Sequence, residues 1–489
     1  MVASTLLGVL SIVAKAATLD LTGAMTLALE KNLDVRLSVF SIGDKEAALT
    51  KTMGDFDFNL SGTVTRDHAE TPSSSSLDGV GSVVRSDSMS YKPTLSRKTI
   101  YGTELSVPYS YTTSESNSSY NRIPVGHNTS LALKVTQPLL KPFQDDYFRR
   151  NIRRAEFDLA QARAKHGEKL DDTALRAAEL FLETAREQQT LRVQEMMYEN
   201  ARQAEEFVKL KKRVGKSSSI EVLEAEAATS KALDGVLSSR LSMATKMDDL
   251  SIHVFGQTQT IDLSDGLKEF LGGNPRNDLN SLVALAQKRR SERVSQVQAT
   301  KKSEVELSAA RADLLPTFNF ESSYTHKGLA EGFGASQQQV SRGDFPSWSL
   351  GLKLERPIMQ YAARAALDAK RFAYEQQRLK EAVVVRDIEI EVRKSIRDVD
   401  VNWERLQALR NAAMAQRQRI EAVAEKFKAG QISVSDMNRA RADAETSEVD
   451  EIKSRYAYVK SRLKLMASAG TLLDYVKSTR GLINQPMIE

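Results

Sequence analysis

The sequence of 489 residues contains no cysteine, which excludes disulfides, thiolate metal sites and a lipid-carrying N-terminal cysteine. It has only 11 prolines, and aromatic residues make up 6% of the chain, a composition that favours long, uninterrupted helices. The net charge of +5 is small for this length and is spread along the chain. No basic block of the kind that binds nucleic acid is present.

The sequence also lacks the patterns of enzyme chemistry. The 5 histidines are scattered, with no i,i+4 pair and no carboxylate cluster at metal-ligand spacing. Neither a phosphate-binding glycine loop nor a nucleophile elbow occurs. We therefore expect no catalytic activity, no cofactor and no metal site.

The first residues form a short apolar segment. A run from Leu6 to Ala14 precedes Ala14-Lys15-Ala16, a small-x-small cleavage pattern, which predicts a signal peptide over residues 1–16. No Lys or Arg precedes the run, so the true start of this peptide stays open, and a buried N-terminal helix is the alternative. No later stretch approaches the ~20 apolar residues of a membrane helix. If the protein is in a membrane, its spanning part must be a barrel of strands.

The chain repeats itself once. The stretch RVGKSSSIEVLEAEA from Arg213 matches KAGQISVSDMNRARA from Lys428, so that Gly215 aligns with Gly430. Further matches follow in the same order: residues 156–157 with 371–372, 137–139 with 356–358, and 58–60 with 318–320. We predict two structural repeats, 17–256 and 278–470, joined by a connecting segment, 257–277, and followed by a C-terminal tail, 471–489.

Each half contains strands with strict alternation of apolar and polar residues. The polar side carries charges as well as hydroxyls, which favours a water-filled lumen over a soluble sandwich, with the apolar side toward lipid. The predicted lipid-facing residues of the second half are Phe318, Phe320, Trp348, Leu350, Leu352 and Leu354. Segments rich in Ser, Gly and Gln, 71–82 and 327–347, predict exposed loops. Residues 91–111 hold an extra alternating stretch that could lengthen the hairpin, add strands or form a plug.

Helical stretches dominate the rest of each half. A first helix is expected from about Leu21 to Met53, and proline-free helices from about 149 to 214 and from 362 to 429. At ~1.5 Å per residue, each of the latter two is on the order of 100 Å long. The first carries a coiled-coil seam that begins at Leu170, Ala174, Ala177, Phe181 and Thr184 and continues through Glu195 to Tyr198. Each ends at a glycine turn, after which a second helix, 220–254 or 434–469, completes a helical hairpin.

These residues resemble a known family. QPLLKPF, ARADLLPTFNFESSY and the paired turns VGKSSSIEVLEA and AGQISVSDMNRA are similar to the TolC-like outer-membrane efflux channels. The resemblance implies an α+β membrane protein: a homotrimer with a transmembrane β-barrel, continued by a long periplasmic α-barrel of coiled-coil helices. It implies the outer membrane of a Gram-negative bacterium, with an extension into the periplasm.

The resemblance also implies a function and a site. The protein would be the passive exit duct of a tripartite efflux or type I secretion system, driven by an inner-membrane pump of RND, ABC or MFS type through a periplasmic adaptor. The adaptor-docking turns would comprise Val214, Gly215, Ser218, Ala429, Gly430 and Ser433. The periplasmic gate would comprise Glu221, Asp436 and Arg439. Glycine caps and favourable charge at a helix N-terminus are the alternative reading of these turns.

A different class of protein accounts for part of the sequence. A periplasmic coiled-coil adaptor or scaffold would explain the long helices and the charge content. It would not explain the amphipathic strands or the doubling. The sequence leaves open what is exported and by which class of pump.

Overall fold

The computed structural model describes residues 18–72, 83–118, 122–141, 147–259, 261–264, 267–274 and 278–479. The predicted signal peptide, 1–16, and most of the predicted loop 71–82 lie outside these residues. Two compact units are present, and each takes segments from both halves of the chain. The helical unit comprises residues 1–42, 162–295 and 381–489, and the sheet unit comprises 43–161 and 296–380.

Ten α-helices account for most of the described residues. Their bounds are α1 (Leu21–Lys31), α2 (Leu33–Met53), α3 (Arg150–Arg213), α4 (Ser219–Phe255), α5 (Leu279–Arg289), α6 (Ser291–Ala312), α7 (Phe333–Arg342), α8 (Tyr361–Lys428), α9 (Val434–Ser468) and α10 (Leu472–Thr479). The two long helices have 64 and 68 residues, which confirms the prediction from the missing prolines. In the described part of the chain, no helix is both long and apolar enough to cross a membrane.

The predicted first helix, Leu21 to Met53, is interrupted, and the expectation of one helix was wrong. Asn32 is extended, and its side-chain oxygen accepts a hydrogen bond from the Asp34 backbone N–H at 2.9 Å, which starts a new helix. The same break occurs at Arg290, between α5 and α6. Both pairs consist of an 11-residue helix followed by one of 21 or 22 residues. These matched lengths support the proposed duplication.

The core of the helical unit lies between helices from both halves of the chain. Its buried side chains come from α1, α3, α4, α9 and α10. The first five positions of the predicted α3 seam, Leu170 to Thr184, are buried there.

The seam does not continue along the same positions. Glu195 is exposed and pairs with Arg240 at 3.3 Å, while Val193, Ala201 and Val208 are buried. A straight helix with 3.6 residues per turn drifts by about 20° per heptad, so the buried stripe moves to neighbouring positions.

The sheet unit is built on one six-stranded antiparallel sheet. The strands are β2 (Phe58–Pro72), β3 (Val83–Lys98), β4 (Glu104–Ser116), β5 (Val125–Pro138), β7 (Thr317–Ala330) and β8 (Phe345–Glu355), in the order β2-β3-β4-β5-β7-β8. The extra stretch 91–111 therefore adds strands, since it falls within β3 and β4. A separate parallel pair, β1 (Thr18–Leu19) with β6 (Asp262–Leu263), belongs to the helical unit.

The predicted exposed loop 327–347 is instead largely structured. Strand β7 continues to Ala330, and α7 packs on β5 and β7 with Ser336 and Val340 buried. The Ser336 hydroxyl lies 2.9 Å from the hydroxyl of Thr129, and the Phe333 ring meets Tyr111 edge-on. Because hydroxyl contacts and single apolar side chains such as Val340 together hold this helix on the sheet, no apolar period in the sequence revealed it.

Candidate functional site

The two helical hairpins turn through the same backbone geometry. Gly215 and Gly430 have φ of 74° and 76°, in the left-handed region that glycine adopts without strain. In each turn the glycine N–H donates to a carbonyl three residues back at 3.0 Å, and the next N–H donates five residues back, at 2.8 Å in the first turn and 3.0 Å in the second. This is the Schellman arrangement that ends a helix.

A capping box follows each turn. The Glu221 N–H donates to the Ser218 hydroxyl at 3.2 Å, and the Ser218 N–H donates to the Glu221 carboxylate at 2.9 Å. Ser433 and Asp436 make the same reciprocal pair, at 3.1 Å and 3.4 Å. The structure therefore assigns both predicted gate carboxylates a capping role.

Hydrogen bonds and charge keep these two carboxylates ionised. The Ser217 hydroxyl and then the Ser218 N–H, both donating to the carboxylate, lower the pKa of Glu221. The Ser433 hydroxyl and N–H lower the pKa of Asp436, and the positive charge of Arg439 acts in the same direction. Each hairpin thus presents a fixed negative charge just after its turn.

The two hairpins pack against each other next to their turns, as the duplication predicts. Val208 and Val222 of the first hairpin share a small core with Phe427 and Met437 of the second. The ammonium of Lys211 lies over the Phe427 ring at 5.1 Å.

Lys211 lies over the Phe207 ring as well, at 4.7 Å, and the Phe207 and Phe427 rings meet at 5.9 Å. Sequence reasoning missed Phe207, Lys211 and Phe427, because they lie one or two helical turns before the glycine and carry no motif. The repeat does not point to them either, since Phe207 lies eight residues before Gly215 and Phe427 only three before Gly430.

The surfaces of the two hairpin ends differ. At the first end, Val214, Ile220 and Leu223 are 63–69% exposed. At the second end, Val434 is buried and Ile432 is half-buried. The first hairpin therefore presents an uncovered apolar patch, which we call the first-tip patch (Val214, Ile220 and Leu223).

The predicted lipid-facing residues share one face of the sheet. Strand register pairs Phe318 with Leu354 and Phe320 with Leu352, and directly paired residues of antiparallel strands point to the same side. The four residues of β8, namely Trp348, Leu350, Leu352 and Leu354, are 62–72% exposed, whereas Phe318 and Phe320 are half-buried. We call this side the apolar face.

The apolar face extends over all six strands. One row across it contains Leu60, Leu95 and Val107, and continues in the second part of the sheet with Leu133, Tyr324 and Trp348. The adjacent row on the opposite side, which we call the polar face, contains Asn59, Ser96, Ser106, Lys134, Ser323 and Ser349. In these two rows the sheet thus carries apolar side chains on one face and polar side chains on the other across its whole width.

Solved structures share this fold. The chain superposes on CusC with a TM-score of 0.68 at 13% identity, over 92% of each chain. The CmeC outer membrane channel of Campylobacter jejuni matches with a TM-score of 0.66 at 13% identity, over 96% of this chain and 90% of that one. VceC, an outer membrane protein of Vibrio cholerae, matches with a TM-score of 0.67 at 11% identity, over 92% of this chain and 96% of that one. The fold is therefore that of the outer-membrane channels.

Part of the sequence also matches a known protein family. Residues 282–471 match the model of the family described as outer membrane efflux protein. No curated protein sequence matches the chain. Residues 282–471 thus match the outer membrane efflux family, and most of the chain shares the fold of the outer-membrane channels, in agreement with the family resemblance.

Proposed function

We propose that the protein is a passive exit duct through which an inner-membrane pump exports its substrate. Three copies close the strands into a barrel in the outer membrane, and their helices form the periplasmic α-barrel. The hairpin ends meet a periplasmic adaptor, and the adaptor links the duct to a pump of the RND, ABC or MFS type. A tripartite efflux system and a type I secretion system both fit this arrangement.

The sheet is the observation that supports the duct most strongly. Its apolar face leaves large side chains such as Trp348 and Leu352 mostly exposed in one chain, which is unfavourable in water and favourable in lipid. Among the described residues, strands β2 and β8 each pair on one side only. An unpaired strand edge in lipid costs several kcal/mol for each unsatisfied backbone group, so a lipid-embedded sheet needs further copies to close it.

The hairpin ends supply the gate in this proposal. Each chain carries two ionised carboxylates there, Glu221 and Asp436, so a trimer gathers three copies of this pair around one opening. Like charges at a narrow opening repel one another and attract cations, and a closed state therefore needs positive partners. Arg439 is exposed one turn after Asp436 and is the nearest candidate.

Arg441 is a second candidate partner in the same helix. Its Nη1 is buried without a hydrogen-bond partner among the described residues, and burial lowers the pKa of its guanidinium. A carboxylate from a neighbouring copy would satisfy it.

Removing the gate carboxylates tests this part of the proposal. The double variant Glu221→Ala and Asp436→Ala should reduce block by multivalent cations in single-channel recordings, because the negative charges that attract the cations are gone. Glu224→Ala with Glu226→Ala, one turn further along α4, is the control and should keep most of the block. Equal block in the double variant and the wild type would mean that these carboxylates only cap helices.

The first-tip patch is the proposed adaptor contact. Ile220→Asp and Leu223→Asp should abolish export in cells while leaving a normal amount of trimer in the outer membrane, because a desolvated carboxylate weakens an apolar contact. The aligned positions of the second hairpin provide the matched controls Ser435→Asp and Asn438→Asp, which should retain export. If both pairs of substitutions abolished export equally, or if neither pair reduced it, docking through the first hairpin would be contradicted.

A further inference from the structure

The sheet contributed by one chain is wider than its two-fold sequence repeat requires. The second half of the chain provides two strands, β7 and β8, whereas the first half provides four, β2 to β5. All six form one antiparallel sheet in which neighbours along the chain are neighbours in space. Strands β3 and β4, the additional pair, lie inside the sheet rather than at its edge.

The additional pair continues the sheet without a change of register. Leu95 of β3 pairs with Leu60 of β2 on one side and with Val107 of β4 on the other, all on the apolar face. On the polar face, Ser96 pairs with Asn59 and with Ser106 in the same way. A plug or a water-exposed hairpin has no reason to place apolar side chains on one face only, aligned with those of its neighbours.

The two edges of the sheet are suited to each other. Because the strand number is even, β2 and β8 run in opposite directions, and β8 of one copy can continue the antiparallel pattern with β2 of the next. Both edge strands also place apolar and polar side chains on opposite faces. Leu60 and Leu352 lie on the apolar face, and Asn59 and Ser349 lie on the polar face.

We propose that three copies of this six-stranded sheet close a single barrel of eighteen strands, an inference that rests on the proposed trimeric channel. Barrels of about 16–18 strands leave an open aqueous channel, because the diameter grows with strand number. Its wall is the polar face, rich in Ser and Thr hydroxyls, such as the pairs Ser110–Ser130 and Ser323–Ser349 at 2.8 Å. The barrel passes hydrated solutes without selecting them by size, and size selection falls to the hairpin end.

The absence of cysteine makes a labelling test clean. Single cysteines are placed on the polar face of the additional strands with Ser96→Cys and Ser106→Cys, and on their apolar face with Leu95→Cys and Val107→Cys. Cells carrying each variant are treated with a charged, membrane-impermeant thiol reagent or with a lipid-soluble maleimide. We expect the charged reagent to label the two polar-face cysteines and the lipid-soluble reagent to label the two apolar-face cysteines.

The same test on β7 and β8 separates failure of this inference from failure of the channel itself. Ser323→Cys and Leu352→Cys should show the same contrast between the two reagents if these strands line a membrane channel. If they do while all four cysteines of β3 and β4 react with the charged reagent, the additional strands lie in water and the wide barrel is refuted. If Ser323→Cys and Leu352→Cys show no contrast either, the proposed channel is refuted as well.

Discussion

The two units treat their apolar side chains in opposite ways. In the helical unit, Phe181 and Leu182 are at most 1% exposed, enclosed by helices from both halves of the chain. In the sheet unit, the largest apolar side chains of β8 are uncovered. A water-soluble protein gains most of its stability from the first arrangement and loses solubility from the second. The contrast shows that the helical unit encloses a core of its own, whereas the large apolar side chains of β8 stay uncovered in one chain.

The largest expected effect tests the helical side of this contrast. Phe181→Ala should destabilise the helical unit by about 3–5 kcal/mol, because it leaves a cavity in a core where Phe181 is fully buried. Leu350→Ala on the apolar face of the sheet should change the unfolding temperature in detergent far less. Thermal unfolding followed by far-ultraviolet circular dichroism measures both, and a comparable loss from Leu350→Ala would show that the sheet has a core of its own.

The second effect tests the sheet side. Leu352→Arg should cost about 2–4 kcal/mol if the side chain lies at the middle of the bilayer, and should lower the amount of trimer assembled in the outer membrane. Lys353→Leu, on the polar face one residue away, should matter much less. The amount of trimer in membrane fractions measures the effect of each substitution. Equal tolerance of both substitutions would mean that the apolar face does not contact lipid.

The helical unit also contains a partly buried cluster of charged side chains. Glu168, Asp171, Arg290, Glu292 and Glu391 line a small cavity of about 60 Å³. Arg290 pairs with Glu292 at 2.7 Å and with Glu391 at 2.5 Å. Burial, together with the nearby negative charges of Asp172, Glu292 and Asp474, raises the pKa of Asp171 from 3.8 to about 6, against the opposing charge of Arg290.

The smallest effect concerns this cluster. Because the pKa of Asp171 is raised on folding, protonated Asp171 stabilises the fold below about pH 4, and this contribution is lost as the pH rises through about 6. Asp171→Asn should remove that pH dependence and stabilise the protein at pH 8 by about 1–3 kcal/mol, the range allowing for partial solvent screening. Unfolding temperatures between pH 4 and pH 8 measure this. Parallel pH profiles of variant and wild type would show that Asp171 is solvated like an ordinary carboxylate.

Regular patterns in the sequence predicted most of the helices and the turns. Helices α3 and α8 followed from long stretches without proline, and the two turns followed from a motif that occurs twice. The break at Asn32 depends on one side chain that hydrogen-bonds its own backbone and a distant carbonyl, which no periodicity reports. Strand β3 was obscured by Pro93, since proline is unusual inside a sheet. Helix α7 was missed because its buried face mixes Ser336 with Val340 and shows no apolar period.

The candidate site, like the fold, could be predicted from the sequence only where a pattern repeats. The doubled motif pointed to both turns and to Glu221 and Asp436. It did not reveal the asymmetry between the hairpin ends, because Ile220 and Ser435 occupy aligned positions and only the packing around them shows which surface stays uncovered.

The order of strands in the sheet has a consequence for how the chain folds. Every neighbouring pair of strands is joined by a short segment except β5 and β7, which are separated in sequence by residues 139–316. Pairing across such a separation loses more chain entropy before any hydrogen bond forms, and it is correspondingly slow. We therefore expect two hairpin-rich pieces, β2 to β5 and β7 to β8, to form early, and their union to limit the folding rate.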